Sequence, residues 1–524
     1  MSPDPIRIDA VHPPEGGRLG LTFCPGKTDP HGLSGPHARE LGQDLRAIAQ
    51  WGADYLVTLL EPHEFDWLGV AGLGEAAEMA GLDWSWLPIP DGGVPGTAFE
   101  RYWGFAGLRL RAALRAGQGV VVHCRGGLGR AGLVATRLLV ELGREPEAAL
   151  AEVRRARRGA VETTTQEAYV RTLRPGSVAD VSRDRLYGTL LGGALGDAFG
   201  YPVEFWVEEQ VREELGPEGL TRPLFSAEGR LEVSDDTQMT LFTLAGLLEA
   251  GPPTDPEAAL DAIRDAYRAW LDTQEGVPAA LADGPVERLA ADPRLQKRQA
   301  PGLTCLRALR EGGDGTPEAP VNDSKGCGGV MRVAPVGLVA AWSPEESYEV
   351  GARSAALTHG HPAGYAAAGT MAATVRLLRD GRGLAQAAEA TLPMLAGTLG
   401  SAEAREALRD ALARGAAPDP DPFADVRALG EGWVAEEALA IGLYAALRGR
   451  DFPDVVRIAA SHGGDSDSTA AIAGQLYGAW RGTDGLPHPW VRRLDVLEPL
   501  LDLAGRFPEE ALEPHTPSTA REAP

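Results

Sequence analysis

A cysteine and an arginine lie six positions apart, at Cys124 and Arg130, with three glycines between them. The residues before Cys124 form a short β-branched run, which is typical of a buried parallel strand. The residues after Arg130 have apolar side chains at helical spacing. Cys124 is therefore predicted at the end of a strand, in a loop whose backbone N–H groups converge at a helix N-terminus. Such a loop binds a dianion and favours a thiolate over a thiol.

The side chain of Arg130 adds a planar guanidinium, which binds a phosphate through two parallel hydrogen bonds. The alternative is a glycine-rich turn in which the cysteine is only a small buried apolar residue. We favour hydrolysis of a phosphate ester through a phosphocysteine, because cysteine, arginine and glycines coincide between a strand and a helix. The residues predicted to cradle the phosphate are Arg125, Gly126, Gly127 and Gly129.

The segment from His123 to Arg130 resembles the signature of the dual-specificity tyrosine phosphatases, nearest their kinase-associated (cyclin-dependent kinase inhibitor 3-like) branch. Segments 23–27, 55–64 and 88–93 resemble further parts of that branch. The resemblance implies an α/β fold with a central, mostly parallel sheet, and a reaction that needs no cofactor. It also implies that Asp91 protonates the leaving oxygen and, by a weaker match, that Gln166 positions a water. An ordinary turn aspartate is the alternative for Asp91.

One position departs from the pattern of that family. Its members usually carry Ser or Thr directly after the arginine, where the hydroxyl assists breakdown of the phosphocysteine, and this chain has Ala131. The departure keeps an alternative open. In that alternative, the N-terminal domain is a phospho-binding module that recruits targets, and only the C-terminal half is an enzyme.

The chain of 524 residues is too long for one hydrophobic core. We expect a phosphatase domain over residues 1–176, a second domain over 183–508 and a flexible tail over 509–524. A formal net charge of −24 argues against nucleic acid or an anionic membrane as a partner. Four scattered cysteines, no recognisable signal peptide and no membrane-spanning run predict a cytoplasmic protein.

The second half is rich in Ala and Leu at helical spacing, and it predicts an all-α domain. Two acidic clusters lie there, each just before an apolar helix. They comprise Ser234, Asp235, Asp236, Asp465, Asp467 and Ser468. These residue types also serve as helix N-caps, but a cap needs one side chain and each cluster offers two carboxylates. Four carboxylates and two hydroxyls would suit two six-coordinate Mg²⁺ or Mn²⁺ ions, and spacing alone leaves both interpretations open.

Six ordered blocks of this half resemble the ADP-ribosylglycohydrolase family. They are GTLLGGALGDAFGYPVE, SDDTQM, KGCGGVMRVAP, LTHGHPAG, WVAEEALA and GGDSDSTAAIAGQLYG. The resemblance covers residues 183–505 and implies an all-α fold with a binuclear magnesium or manganese centre that cleaves the bond at C1″ of ADP-ribose. It implies that the two acidic clusters are the metal ligands and that Glu204 is an acid/base group beside them.

The same resemblance assigns residues that contact the substrate. These are Lys325, Gly326, Cys327, Gly328, Gly329, Met331 and His359. The backbone N–H groups of the 325–331 loop are expected to cradle the pyrophosphate. For His359 the alternative is a structural histidine with its hydrogen bonds satisfied. Gly432 and Trp433 are expected at the adenosine end.

Together these patterns predict a bifunctional hydrolase. The C-terminal domain would remove ADP-ribose from an ADP-ribosylated protein or an ADP-ribose derivative. The N-terminal domain would act on a phosphorylated protein or a small phosphate ester. In a third interpretation the C-terminal domain binds ADP-ribose without cleaving it, and the complete set of metal ligands argues against that interpretation.

Overall fold

The computed structural model divides the chain into two compact units, Met1–Asp180 and Val181–Pro524. The structure describes residues 5–13, 16–30, 37–175, 180–251, 255–279, 283–418 and 421–512. The predicted domain end at residue 176 and most of the predicted tail lie outside these ranges. At the start of that tail, Glu509–Leu512 form a short helix in which Ala511 and Leu512 are buried.

The first unit is an α/β domain with a mostly parallel sheet, as the sequence predicts. Its strands are β1 (Asp9–Val11), β2 (Arg18–Phe23), β3 (Thr28–Asp29), β4 (His37–Ala38), β5 (Tyr55–Thr58), β6 (Asp83–Trp86) and β7 (Gly119–Cys124). Its helices are α1 (Leu41–Trp51), α2 (Pro62–Trp67), α3 (Leu73–Met79), α4 (Thr97–Arg115), α5 (Gly129–Glu141), α6 (Pro146–Ala156) and α7 (Thr164–Thr172). Five strands form a sheet in the order β1-β2-β7-β5-β6, in which only β1 runs antiparallel, and β3 pairs with β4 separately.

Strand β7 lies in the middle of this sheet and is buried along its whole length. Val120 and Val122 pack into one hydrophobic cluster, whereas Val121 packs into a second cluster. This alternation follows from the two-residue period of a strand that is covered on both faces. Because β7 ends at Cys124 and α5 begins at Gly129, both ends of the connecting loop are fixed by buried elements.

The second unit is helical, as predicted. Its helices are α8 (Asp180–Gly200), α9 (Glu208–Leu215), α10 (Asp235–Glu249), α11 (Pro256–Glu275), α12 (Pro285–Ala290), α13 (Leu303–Arg310), α14 (Pro344–Ala356), α15 (Pro362–Arg379), α16 (Leu384–Ala390), α17 (Leu392–Gly397), α18 (Ala402–Gly415), α19 (Pro422–Leu429), α20 (Ala435–Arg448), α21 (Phe452–Ala460), α22 (Ser466–Arg481), α23 (His488–Val491), α24 (Leu497–Arg506) and α25 (Glu509–Leu512). Short 3₁₀ helices span Tyr201–Val203, Cys327–Gly329 and Ala334–Leu338. Within the described ranges, no helix is long and apolar enough to cross a membrane.

Helices α8 and α22 pack backbone against backbone. A Cβ atom on Gly192 would lie 2.3 Å from the carbonyl oxygen of Gly474, and one on Gly474 would lie 2.0 Å from that of Gly192. Any side chain at either position would force the helices apart, so this close approach requires glycine. Gly200 meets the carbonyl oxygen of Ser466 in the same way, at 2.2 Å from a Cβ. The C-terminal end of α8 is therefore held against the N-terminal end of α22.

Candidate active sites

The first candidate site lies in the loop between β7 and α5. The Cys124 side chain is buried, and its sulfur accepts a hydrogen bond from the Gly127 N–H at 3.2 Å. Gly127 has a positive φ of 72°, and a Cβ there would lie 2.3 Å from the carbonyl oxygen of Thr22 on β2. Only glycine lets the loop pass this close to the neighbouring strand. The Gly129 N–H donates to the carboxylate of Glu162 at 2.7 Å.

The guanidinium of Arg130, which is 1% exposed, is held by two acids. Glu64 accepts hydrogen bonds from both Nη atoms, at 2.5 and 2.8 Å, and Asp91 lies 3.0 Å from Nη2. The Nε of Arg130 is buried and has no hydrogen-bond partner among the described residues. The structure therefore brings the predicted acid Asp91 to the predicted arginine. The sequence analysis missed Glu64, and the only signal for it was that a buried arginine needs a charged partner.

The Asp91 loop is fastened to the segment that begins α7. The Thr163 hydroxyl donates to the carbonyl oxygen of Gly92 at 3.2 Å. The side-chain amide of Gln166 donates to the carbonyl oxygen of Gly93 at 2.9 Å. Gln166 is fully buried, so its observed contacts hold the loop that carries Asp91.

Arg125 and Gly126 have partners around the rim of the cysteine loop. The Arg125 guanidinium lies over the Trp67 ring, 4.1 Å from its centroid, and 3.5 Å from the carboxylate of Asp29. The carbonyl oxygen of Gly126 accepts a hydrogen bond from Arg157 at 3.0 Å. These contacts hold the loop from outside through the Arg125 side chain and the Gly126 carbonyl oxygen.

A series of hydrogen-bonded side chains supports the strand end that carries the cysteine. Burial lowers the pKa of His123 to about 3, so this imidazole is neutral at physiological pH. Its Nε2 lies 2.7 Å from the Thr58 hydroxyl, which accepts a hydrogen bond from the Trp84 indole at 2.8 Å. These hydrogen bonds run from β7 through β5 to β6. They therefore fix the position of Cys124 relative to the sheet.

The second candidate site gathers the two acidic clusters, which lie far apart in the sequence. Ser234 is the N-cap of α10, with Asp235 and Asp236 in its first turn. Asp465 is the N-cap of α22, with Asp467 in its first turn. Ser234 and Asp465 thus do cap helices, yet all six predicted ligands are at most 5% exposed. Buried carboxylates beyond those that a cap requires need a further partner.

The electrostatics of the two clusters favour a cation as that partner. Oxygen atoms of Glu204, Asp465 and Asp467 lie within 4.8 Å of one another. Burial and the neighbouring carboxylates raise the pKa of Glu204 and that of Asp235 to about 8. The same causes raise the pKa values of Asp236 and Asp467 well above the ordinary value for aspartate. Glu204 Oε2 and Asp236 Oδ2 have no hydrogen-bond partner among the described residues. A divalent cation would relieve this repulsion, and an all-oxygen donor set fits Mg²⁺ or Mn²⁺.

Backbone donors hold the first cluster in place. Asp197 on α8 accepts hydrogen bonds from the N–H groups of Ser234 at 2.9 Å and of Thr237 at 3.0 Å. The Gly302 N–H donates to the carboxylate of Asp235 at 3.2 Å. Sequence reasoning assigned no role to Asp197, although an aspartate in a helix of small and apolar residues was a signal. Its observed contacts make it a positioning residue.

The predicted substrate loop touches the second cluster. The Cys327 thiol donates to Asp465 Oδ2 at 2.7 Å. The Lys325 ammonium contacts the carboxylates of Glu403 and Glu436 at 2.6 and 2.5 Å. Lys325, predicted for the substrate loop, is thus paired with two acids in this structure, and the backbone of the loop remains the candidate for binding a pyrophosphate.

His359 supports that loop from behind. A Cβ on Gly328 would lie 3.0 Å from His359 Cε1, and one on Gly326 would lie 3.4 Å from Nε2. The Nδ1 atom lies 2.9 Å from the Thr358 hydroxyl. Burial, together with the nearby Arg332 guanidinium, lowers the pKa of His359 to about 3. A neutral, packed histidine against two glycines explains why the loop can come so close.

Met331 and Gly329 complete the loop. The Met331 sulfur lies 3.9 Å from the Ser468 hydroxyl, and its carbonyl oxygen accepts a hydrogen bond from Gln475 at 2.8 Å. Gly329 packs against α14, where a Cβ would lie 2.8 Å from the Cβ of Ala355. Met331 therefore lies beside the second acidic cluster, whereas Gly329 anchors the loop to the fold.

Two exposed aromatic rings lie at the edge of the acidic centre. Phe205 and Trp433 stack with centroids 6.2 Å apart, and they are 73% and 40% exposed. Phe205 follows Glu204 in the chain, and a Cβ on Gly432 would lie 3.4 Å from the Cβ of Asp465. The sequence analysis named Trp433 and missed Phe205, whose only signal was its position directly after Glu204.

The first unit thus holds a buried cysteine and a buried arginine at one loop, and the second unit holds a cluster of buried carboxylates. Residues 179–516 match the sequence model described as ADP-ribosylglycohydrolase. Residues 29–186 match the one described as Swiss Army Knife protein, DSP-PTPase phosphatase domain. The chain belongs to the ADP-ribosylglycohydrolase family, and it joins that domain to a phosphatase domain. The predicted families are confirmed, as are the α/β fold of the first unit and the helical fold of the second, while the binuclear metal site stays a prediction.

Characterised relatives match the second unit. The ADP-ribosyl-(dinitrogen reductase) glycohydrolase of Rhodospirillum rubrum is 26% identical over 341 residues, which cover 62% of this chain and 97% of the relative. The ADP-ribosylarginine hydrolase Tri1 of Pseudomonas putida (strain GB-1) is 27% identical over 319 residues, which cover 59% of this chain and 74% of the relative.

Solved structures match each unit. An ADP-ribosylglycohydrolase-related protein complex is 28% identical with a TM-score of 0.39, covering 63% of this chain and 99% of that one. A kinase associated phosphatase whose catalytic cysteine is replaced by serine is 26% identical with a TM-score of 0.29. The match covers 32% of this chain and 94% of that one.

Proposed function

We propose that the C-terminal unit removes ADP-ribose from an acceptor with the help of two Mg²⁺ or Mn²⁺ ions. We propose that the N-terminal unit hydrolyses phosphate monoesters through a phosphocysteine. The first proposal rests on the two acidic clusters, which the fold gathers around unpartnered oxygens of Glu204 and Asp236. The second rests on the contact of Arg130 with Asp91 in the loop that carries Cys124.

In the C-terminal unit, the metal ligands would be Ser234, Asp235, Asp236, Asp465, Asp467 and Ser468. When bound, the ions would stabilise the charge that develops as the bond at C1″ breaks. Asp197 holds the backbone of the first cluster, and the Cys327 thiol orients Asp465. Glu204, beside the second cluster, is the group that we assign to the proton of the attacking water.

In the N-terminal unit, the Cys124 thiolate attacks phosphorus while the loop N–H groups and Arg130 bind the phosphate oxygens. Asp91 gives its proton to the leaving oxygen as the ester bond breaks. Water then attacks the phosphocysteine and gives a proton to the Asp91 carboxylate, the sulfur–phosphorus bond breaks, and the thiolate, the protonated Asp91 and free phosphate result. This reaction uses groups of the protein and water, and it needs no cofactor.

The substrates follow from the two chemistries. The partners of the C-terminal unit would be an ADP-ribosylated protein or a small ADP-ribose derivative, and those of the N-terminal unit a phosphorylated protein or a small phosphate ester. The relative named as an ADP-ribosylarginine hydrolase makes arginine the first acceptor to test. A net charge of −24 disfavours nucleic acid and anionic membranes as partners, and four free cysteines suit the cytoplasm.

A substrate panel tests both assignments. Metal-free protein, with and without added Mg²⁺ or Mn²⁺, is incubated with ADP-ribosylated arginine and serine peptides, with O-acetyl-ADP-ribose and with para-nitrophenyl phosphate. We expect metal-dependent release of free ADP-ribose and metal-independent release of nitrophenol. If the metal-loaded protein released ADP-ribose from none of these substrates, the glycohydrolase assignment would be wrong.

A second candidate function of the N-terminal unit is phosphate binding without turnover. Ala131 favours it, because this buried residue supplies no hydroxyl to the departing sulfur. Binding of a phosphopeptide that is never hydrolysed, together with inert para-nitrophenyl phosphate, would make the unit a targeting module for the glycohydrolase.

A further inference from the structure

The cysteine loop already contains an anion supplied by the protein. The Gly129 N–H, at the start of α5, donates to the Glu162 carboxylate at 2.7 Å. In a loop of this type the N–H groups are the donors for phosphate oxygens, and a carboxylate satisfies such a donor through the same charge-assisted hydrogen bond. Glu162 therefore occupies a donor that a bound phosphate would use.

A second group in the same loop still lacks a partner. Arg130 is 1% exposed, and its Nε atom is buried without a hydrogen-bond partner among the described residues. Its Nη atoms are engaged by Glu64 and Asp91. A buried guanidinium N–H without an acceptor is costly, so the loop remains a receptor for an anion even though Glu162 occupies one donor.

The backbone at Glu162 is fixed, whereas its side chain is free to turn away. The residue before it, Val161, has a positive φ of 61°, which a β-branched residue adopts only when its surroundings enforce it. Arg154 donates to the Val161 carbonyl oxygen at 2.9 Å, and Gln166 accepts from the Glu162 N–H at 3.0 Å. Glu162 itself is exposed, so its carboxylate can leave Gly129 without disturbing the turn.

We propose that Glu162 is an internal anion that competes with phosphate for the cysteine loop and so lowers the affinity of the loop for free phosphate. The inference rests on the proposed function of this unit. A phosphate that enters must displace the carboxylate from Gly129, and the carboxylate repels it while it remains near. After hydrolysis the carboxylate returns to Gly129 and assists release of the product.

Isothermal titration of the full-length protein with inorganic phosphate, and separately with tungstate, measures this competition. Replacing the carboxylate by a neutral amide in Glu162→Gln should tighten binding of both anions about tenfold, because a charge-assisted hydrogen bond and a repulsion are removed. Glu147→Gln is the matched control. Glu147 lies on α6 and pairs with Arg171 at the surface, and its substitution should leave the affinity unchanged.

Glu162→Ala, which removes the side chain, should shift the affinity in the same direction, and thermal melting checks that each variant is folded. Unchanged affinity in the folded variants would show that Glu162 is only a structural cap, and weaker binding would show that it positions the loop. Either result overturns the inference while anion binding by the natural protein still supports the proposed function. If no variant bound either anion and none hydrolysed para-nitrophenyl phosphate, the proposed function would fail first.

Discussion

The two candidate sites meet opposite electrostatic demands. In the N-terminal unit, backbone N–H groups and Arg130 surround a position for an anion, and one short loop between a strand and a helix carries them. In the C-terminal unit, buried carboxylates crowd together, and they come from the starts of α10 and α22 and from the segment that follows α8. The cysteine, the arginine and the N–H donors of the first site are neighbours in the sequence, although Asp91 comes from another loop, whereas the second site exists only after distant helices have packed.

This difference implies different vulnerabilities. The reactive groups of a contiguous loop stay close together along the chain, so such a site fails chiefly when one of those groups is lost. An assembled centre depends on every contact that holds its helices in register. Substitutions that separate these two dependences therefore test the comparison.

The largest effect is expected for Cys124→Ser. Loss of the only nucleophile of the loop should reduce turnover of para-nitrophenyl phosphate by about 10⁴-fold or more. Release of ADP-ribose should stay within about twofold, because the two sites belong to separate compact units and distant sites act nearly additively. Both rates are measured on the same preparation. A tenfold loss of ADP-ribose release would show that the two units are coupled.

The next largest effect is expected for Asp235→Ala. Removing a buried carboxylate from a centre that gathers cations should reduce ADP-ribose release about a thousandfold and lower the bound metal, as measured by elemental analysis. Chelation should have the same effect, and Mg²⁺ or Mn²⁺ should restore activity. Asp484→Ala, at an exposed position of the same unit, is the control and should retain both activity and metal. Activity that persists after exhaustive chelation would contradict the two-metal assignment.

Glu64→Gln tests the support of the contiguous loop. The substitution leaves the buried Arg130 guanidinium without its bidentate partner and should lower the free energy of unfolding of the N-terminal unit by about 3 kcal/mol. Glu147→Gln is the matched control, because Glu147 pairs with Arg171 at the surface and its loss should leave the free energy of unfolding almost unchanged. Denaturant titration of both variants measures the difference, and equal costs would show that the buried pair is not what stabilises the loop.

The same pair gives a pH dependence. Burial alone would raise the pKa of Glu64, but the hydrogen bonds from Arg130 outweigh it and hold this pKa below its ordinary value of 4.5. A depressed carboxyl pKa contributes stability that is present above pH 4.5 and is lost as the pH falls through the lowered value. The difference in stability between the natural protein and Glu64→Gln should therefore shrink below pH 4.5.

The smallest effect is expected for Ala131→Ser. Breakdown of the phosphocysteine must expel a thiolate, and Ala131 donates no hydrogen bond to it, so the natural protein should show a burst of product followed by slow turnover. A serine hydroxyl should raise the steady-state rate by up to about tenfold, since a hydrogen bond to a charged group is worth about 1.5 kcal/mol. The control Ala131→Gly adds no hydrogen-bond donor and should not raise the steady-state rate. Stopped-flow traces that show no burst, with an unchanged rate in Ala131→Ser, would assign this step to another group.

The contiguous site could be predicted in most of its parts. The run before Cys124 predicts a strand and the run after Arg130 predicts a helix, and the structure has β7 ending at Cys124 and α5 beginning at Gly129. Local spacing suffices here because the strand, loop and helix follow one another directly. The partners that hold the loop could not be predicted, since Glu64 and Glu162 reach it only through the fold.

The assembled site shows the reverse balance. Helix-start patterns place both acidic clusters at helix N-termini, but no spacing rule brings Asp235 near Asp465, and only the family resemblance joined them. The positioning role of Asp197 and the ion pairs of Lys325 arise from side chains that meet across separate helices. Such contacts depend on tertiary packing, which a local pattern does not encode.

The backbone contact between α8 and α22 fixes the separation of these two helices beside the acidic centre. Most helix pairs are spaced by interdigitated side chains, whose bulk sets the separation of the helix axes. At Gly192 and Gly474 that layer is missing, and main-chain atoms alone set the spacing. Main-chain contacts therefore set the separation between the C-terminal end of α8, which precedes Glu204, and the N-terminal end of α22, which carries Asp467. A single methyl group added at Gly192 would increase the separation of α8 and α22. It would thereby shift the carboxylates of the centre relative to one another without replacing any of them.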